Sequence, residues 1–186
     1  MIKRNLYYLK PKKERVEYLL TNYRDIEQII HTKKQSLALI VSNERAFSRK
    51  KNRRELGVTI SKTNDFISQT EAEAIEHVQI MESIENGTLC EALIDDSLDA
   101  ELINMEIFDI NLLNNEYNLL RCHMESLPLE NKKIFIPYTN RRITIEKLAG
   151  KLFIEEESVK QRLYRIRKNL KETVLPYMEE YGRDGE

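Results

Sequence analysis

The sequence predicts an all-α fold, a helical N-terminal region followed by a C-terminal helix-turn-helix, and three observations carry that prediction. Five glycines and four prolines in 186 residues are too few for a turn-rich β fold. A third of the chain, 33%, is charged, which suits the solvated faces of helices. Apolar residues recur at spacings of three and four through most of the chain, the period of a helix with one buried side.

Pro11 marks the first helix start, where its missing N–H leaves no bond unmade. Val16, Leu19, Leu20, Tyr23, Ile26, Ile29 and Ile30 then form one helical stripe. A second helix spans Gln35 to Arg54, with Leu37, Ile40, Val41 and Phe47 as its apolar side. No Gly or Pro separates the two, so a single long helix stays open. Gly57 to Ser68 has the small and polar residues of a connector. Thr70 and Glu73 form a capping box for a helix whose buried side is read as Ala74, Ile75, Val78, Met81 and Ile84. Asn86-Gly87 stops that helix. Another runs from about Ser97 towards Ser126 on Leu98, Leu102, Ile103, Ile107, Ile110, Leu113, Tyr117, Leu120 and Met124, with a break at Asn114-Asn115 left open.

The C-terminal third holds two helices on either side of a tight connection. Thr144 can cap the first, Thr144 to Leu152, because its oxygen accepts from the free N–H groups of the first turn. Ile145, Leu148, Ala149 and Leu152 make its apolar stripe, and Ala149 is small enough for close helix approach. Phe153-Ile154-Glu155 is the turn. The second helix runs from Glu156 to Tyr181, with a break expected at Pro176. Val159, Leu163, Ile166 and Leu170 face inward, which leaves Glu157, Gln161, Tyr164 and Lys168 outward, flanked by Lys160 and Arg165. Gln pairs with adenine, Arg with guanine, and Lys, Arg and Tyr reach phosphates. Glu157 can accept from a cytosine amino group. Glu155, Glu156 and Glu157 suit the positive end of the helix.

The net charge of −1 conceals three blocks. Residues 1–60 carry fifteen Lys and Arg against six Asp and Glu, a net +9; residues 61–130 carry two against sixteen, −14; residues 131–186 carry thirteen against nine, +4. Two basic ends around an acidic middle point to nucleic-acid contact at the ends. Arg49 to Arg54, with five basic residues in six, reads either as a solvated cluster or as a second phosphate-contacting patch. On this basis the chain divides into a basic helical region at 1–56, a connector at 57–69, an acidic helical middle at 70–126 and the helix-turn-helix at 127–186.

Other classes find little support. No run approaches the roughly 20 apolar residues of a membrane span, and the first residues lack a signal-peptide core. Cys90 and Cys122 are isolated, as expected of thiols in a reducing cytoplasm. No phosphate-loop, dinucleotide or nucleophile-elbow motif is present, so no enzymatic activity, cofactor or small-molecule substrate is expected. His31, His77 and His123 lie far apart with no metal-ligand spacing, and Asp95, Asp96 and Asp99 read as an exposed acidic loop.

Leu127-Pro128, Ile145-x-x-Leu148-Ala149 and Ser158-Val159-Lys160-x-Arg162-Leu163-Tyr164-Arg165-x-Arg167-Lys168-x-Leu170 resemble region four of bacterial sigma factors. Glu155 stands where that module usually has a Ser or Thr cap. Over more of the chain, Tyr18 to Ile30, Gly57-Val58-x-x-Ser61-Lys62-Thr63-x-Asp65, Ala72 and Ala74-Ile75-Glu76 resemble the RinA/ArpU-type regulators of phages and prophages. The resemblance implies a double-stranded DNA partner and activation of phage late genes in a bacterial or phage-infected cell. Lys160, Gln161, Tyr164, Arg165, Glu157 and Ser158 would then read or position the DNA, with Lys168, Arg141, Arg142 and Thr144 at phosphates. Two other readings stay open: an alternative sigma factor acting as an RNA polymerase subunit, and a non-DNA adaptor that binds polymerase. A homodimer through the N-terminal helices would double a short half-site.

Overall fold

Pro11 lies immediately before the first helix, and its carbonyl accepts from the Glu14 and Arg15 N–H groups at 2.8 and 3.0 Å. In the computed structural model, which describes residues 6–55, 69–87 and 100–181 (side chains other than those of 46–55, 69, 70 and 72), helix α1 is Lys12–Asn22. Six helices follow: α2 Ile26–Glu55, α3 Gln69–Asn86, α4 Ala100–Glu125, α5 Leu129–Thr139, α6 Ile145–Leu152 and α7 Glu156–Val174. A 3₁₀ turn precedes α1 at Tyr7–Leu9 and another follows α7 at Leu175–Tyr177. Among the described residues there is no strand, and no helix is long and apolar enough to cross a membrane. The connector read at 57–68, Leu98 and the acidic residues Asp95, Asp96 and Asp99 lie outside the described residues.

The helices fall into two compact units, Met1–Ile29 with Leu112–Glu186, and Ile30–Asn111. In the first, α7 packs against α6, α5 and α1. Its buried side, Val159, Leu163, Ile166, Leu170 and Val174, joins a core of Val16, Leu19 and Leu20, Leu113, Leu120 and Met124, Ile134 and Phe135, and Leu148 and Ala149. At the far end of this core Arg15 is fully buried. Its guanidinium meets Glu116 at 2.9 and 3.2 Å and donates to the carbonyls of Tyr8, Lys10 and Glu179. Tyr7 donates to the same carboxylate at 2.6 Å. Burial first, and the Glu116 charge second, push the Tyr7 phenol well above its ordinary range, so it stays a donor. The rings of Tyr7 and Tyr181 lie 5.9 and 5.4 Å from the guanidinium carbon.

The second unit is built on Ile30, Leu37, Ala38 and Val41 of α2, Ile80 and Ile84 of α3, and Ile103, Ile107 and Ile110 of α4. Lys34 pairs with Glu85 at 3.2 Å and Arg45 with Glu76 at 2.8 Å. Eleven residues forward on α2 thus match nine backward on α3, so the two helices run antiparallel. Lys33 reaches the fully buried Asp109 at 2.7 Å. Gly87 closes α3 at φ 83°, a conformation that glycine takes without steric cost.

Several expectations need correction. The first two helices break at Tyr23–Asp25 rather than beyond Ile30, because the Asp25 N–H turns back onto the Asn22 carbonyl at 2.7 Å and the Asp25 carbonyl accepts from Ile29; α2 then runs unbroken. The Asn114-Asn115 break, left open by the sequence, does not occur, since α4 is continuous. On α3 Ile84 is buried as expected, but the residue buried with it is Ile80, while Ile75 and Val78 are 47% and 54% exposed. Ile80 lies outside the expected stripe, between Glu76 and Glu85, which pair with α2. Leu102, expected inward on α4, is also exposed. Helix α7 ends at Val174, and the 3₁₀ turn that follows holds Pro176, where a break was expected.

Removing one member of a buried ion pair leaves the other uncompensated, at a cost of about 3–5 kcal/mol, whereas apolar replacement of both is often close to neutral. Arg15→Met and Glu116→Leu are each expected to lose that much in urea denaturation followed by circular dichroism, and the double variant to recover most of it. Additive losses would show that the pair does not act as a unit.

Candidate nucleic-acid interface

The segment Thr144 to Val174 is shaped by local chemistry. Thr144 is extended and its hydroxyl accepts from the Lys147 N–H at 3.3 Å. Leu148 and Ala149 face the core, and Gly150 faces open space. The chain then reverses through Phe153 at φ 53°, ψ 43°, and the Ile154 N–H returns to the Ala149 carbonyl at 3.2 Å. Glycine usually holds such a left-handed helix end. Here it is held by a phenylalanine that is 95% exposed. Glu155 begins α7 without a side-chain cap, and Glu156 and Glu157 fill its first turn, where the helix dipole favours them.

Helix α7 uses its sides differently. The inward side is buried as expected. One flank is tied to α1: Arg167 and Lys171 both pair with Glu17, and Arg167 also donates to the Thr21 hydroxyl at 2.9 Å. Burial raises the Glu17 carboxyl, but the hydrogen bond from Lys171 and the charges of Arg167 and Lys171 outweigh it and hold the group below its ordinary range. The other flank, Arg162, Arg165 and Asn169, lines a groove of about 480 Å³ against α5, floored by Leu127, Ile134 and Ile166. The outward side carries Glu157, Gln161, Tyr164 and Lys168, all exposed.

The sequence-predicted residues therefore fall into two groups. Glu157, Ser158, Lys160, Gln161, Tyr164, Arg165 and Lys168 are exposed on α7. Thr144, Arg141 and Arg142 lie on the connection that enters α6. Lys160 is 3.5 Å from Glu157 and Lys168 is 3.9 Å from Glu172; such exposed pairs are worth little and release readily. Among the described residues, Gln161, Tyr164, Arg162 and Arg165 have no intrachain polar partner. Arg141 adopts φ 52° and reaches Asp25 at 3.6 Å.

Sequence reasoning missed helix α5, Arg162, Glu17 and the exposure of Phe153. Pro137 sits inside α5 and disguises it, yet the proline lies in the last turn, where one lost bond matters least. Nothing in the local pattern around Glu17 signals a partner 150 residues away. Among the described residues no group of three or more His, Cys, Asp or Glu side chains is placed to hold a metal ion. No protein-family model, curated protein or solved structure matches this chain.

The lowered Glu17 carboxyl stabilises the fold above the unfolded-state value of about 4.3, and that contribution is lost as pH falls through the lower folded-state value. Thermal melts across an acid series are expected to show this loss in the wild type and not in Glu17→Gln; parallel curves would refute the assignment. Phe153→Gly removes a left-handed penalty of about 1–2 kcal/mol against roughly 0.5–1 kcal/mol of added chain entropy. A gain of about 0.5–1 kcal/mol in denaturation is expected, and a loss would mean that the ring supports the fold.

Proposed function

We propose that the chain is a sequence-specific duplex-DNA-binding transcription regulator in which α6, the Phe153–Glu155 turn and α7 act as a helix-turn-helix. One observation carries the reading. The side of α7 turned away from its packing neighbours presents Gln161 and Tyr164 without intrachain partners, with Arg165 at its edge and Lys160 and Lys168 in weak surface pairs. A helix held on its other sides by α5, α6 and α1 offers that face rigidly, and the major groove is wide enough to admit one helix.

Gln161 and Arg165 carry base recognition in this reading, since both can form bidentate contacts with base edges. Lys160, Tyr164 and Lys168 fix the helix on the phosphates, and Arg141, Arg142 and the N-terminal end of α6 at Thr144 add backbone contacts. Ser158 and Glu157 lie at the entering end of the helix. Activation of phage or prophage late genes, with RNA polymerase as a partner, rests on the resemblance to the RinA/ArpU-type regulators and is the role we favour for it.

Selection of bound duplexes from a random pool tests this. The wild type is expected to enrich one motif, and Gln161→Ala and Arg165→Ala each to relax it at one position by about 1–3 kcal/mol of discrimination. Lys168→Ala is expected to weaken all sequences alike and to flatten the log–log salt slope by about 0.9. Enrichment of no motif, or binding indifferent to all three changes, would overturn the reading.

A further inference from the structure

Phe153 is a costly residue in the place it occupies. It is 95% exposed and holds a left-handed backbone, a combination that a glycine or asparagine would avoid. Among the described residues nothing uses its ring. Gly150, one turn earlier on α6, has no atom within 4 Å of where a side chain would begin, so the surface beside the ring is open to close approach. Glu155 and Glu156, both exposed, follow directly. The turn is thus an aromatic knob beside two free carboxylates.

The same unit carries the counterpart. The groove between α5 and α7 has an apolar floor of Leu127, Ile134 and Ile166, and its rim holds the guanidinium groups of Arg162 and Arg165. Neither arginine has a partner among the described residues. Glu130 is the single acid among the lining residues. A hole with an apolar floor and cationic rim matches a ring flanked by carboxylates in shape class and in charge. A guanidinium can also lie against an aromatic face.

We propose that the Phe153 turn of one molecule docks in the α5–α7 groove of a second copy of this chain. Knob and hole are different patches, so each copy offers one of each, and the contact can repeat from copy to copy. The burial is that of a small interface, which fits an association populated at high concentration or when copies are brought side by side. Copies joined in this way would place successive α7 helices in fixed register, which is how short recognition elements gain length of site.

Sedimentation of the full chain without DNA, up to about 0.5 mM, where weak contacts are populated, tests the proposal independently of any DNA reading. The wild type is expected to associate with rising concentration, and Phe153→Gly and Arg162→Glu each to remain monomeric. Thermal melts of both variants check that they are folded. Mixing the two variants is expected to restore a one-to-one dimer and nothing larger, because the Arg162→Glu copy keeps its knob and the Phe153→Gly copy keeps its groove. A monomeric wild type, variants that associate as the wild type does, or a mixture that stays monomeric would each overturn the proposal. So would a monomeric wild type in which Phe153→Gly instead loses DNA binding, which would make the ring a nucleic-acid contact.

Discussion

A guanidinium removed from water must find every one of its bonds inside the protein, and Arg15 does so by gathering the ends of the chain. Its partners come from the Tyr7–Leu9 turn and Lys10 after it, Glu116 on α4 and the backbone at Glu179. Glu116 and Glu179 lie 101 and 164 residues from Arg15 and would not meet it by local preference. The cost of leaving the charge unpaired couples them, and the C-terminal helices share one compact unit with the chain up to Ile29. The charge pair is a constraint on topology more than a source of net stability, since an apolar group of the same shape could fill the space.

That constraint reaches α7 through α1. With α1 fixed by Arg15 at one point of its surface, Glu17 on the same helix is in position to take both Arg167 and Lys171. Two of the cations that the sequence places on α7 are thereby spent on packing, and the cations left exposed are those nearer the outward face and the α5 flank. The distribution of charge available to a partner is set as much by what α1 neutralises as by the composition of α7 itself.

The acidic start of α7 belongs to the same division. Glu155 to Glu157 suit the helix dipole, whereas the middle of the helix is cationic. An anionic polymer lying along the whole helix would meet both signs. A reading face centred on Gln161, Tyr164 and Arg165 uses the cationic stretch, with Glu157 at its entering end and Glu155, Glu156 and Phe153 before it in the chain. The two proposed contacts therefore need not compete for the same residues, apart from the guanidinium of Arg165 at their border.

The sequence by itself determined the all-helical class and, α5 apart, most of the helices with their local signals. The Thr144 cap, the reversal after Leu152, the inward stripe of α7 and the stop at Gly87 were all legible, because each depends on residues within one or two turns of one another. The outward residues of α7 followed from the same periodicity. What only the tertiary structure decided involves choices between local equals or partners distant in sequence. Ala74, Ile75 and Val78 fit a helical stripe with Ile84, yet Ile80 is buried in their place on a helix paired with Lys34 and Arg45. Asn22 to Asp25 turns with no glycine or proline to announce it. Arg15, read only as one positive charge among many near the N-terminus, proved to be the most buried cation of the described chain, because a charge's partners are set by the packing of elements a hundred residues apart and leave no periodic trace in the sequence.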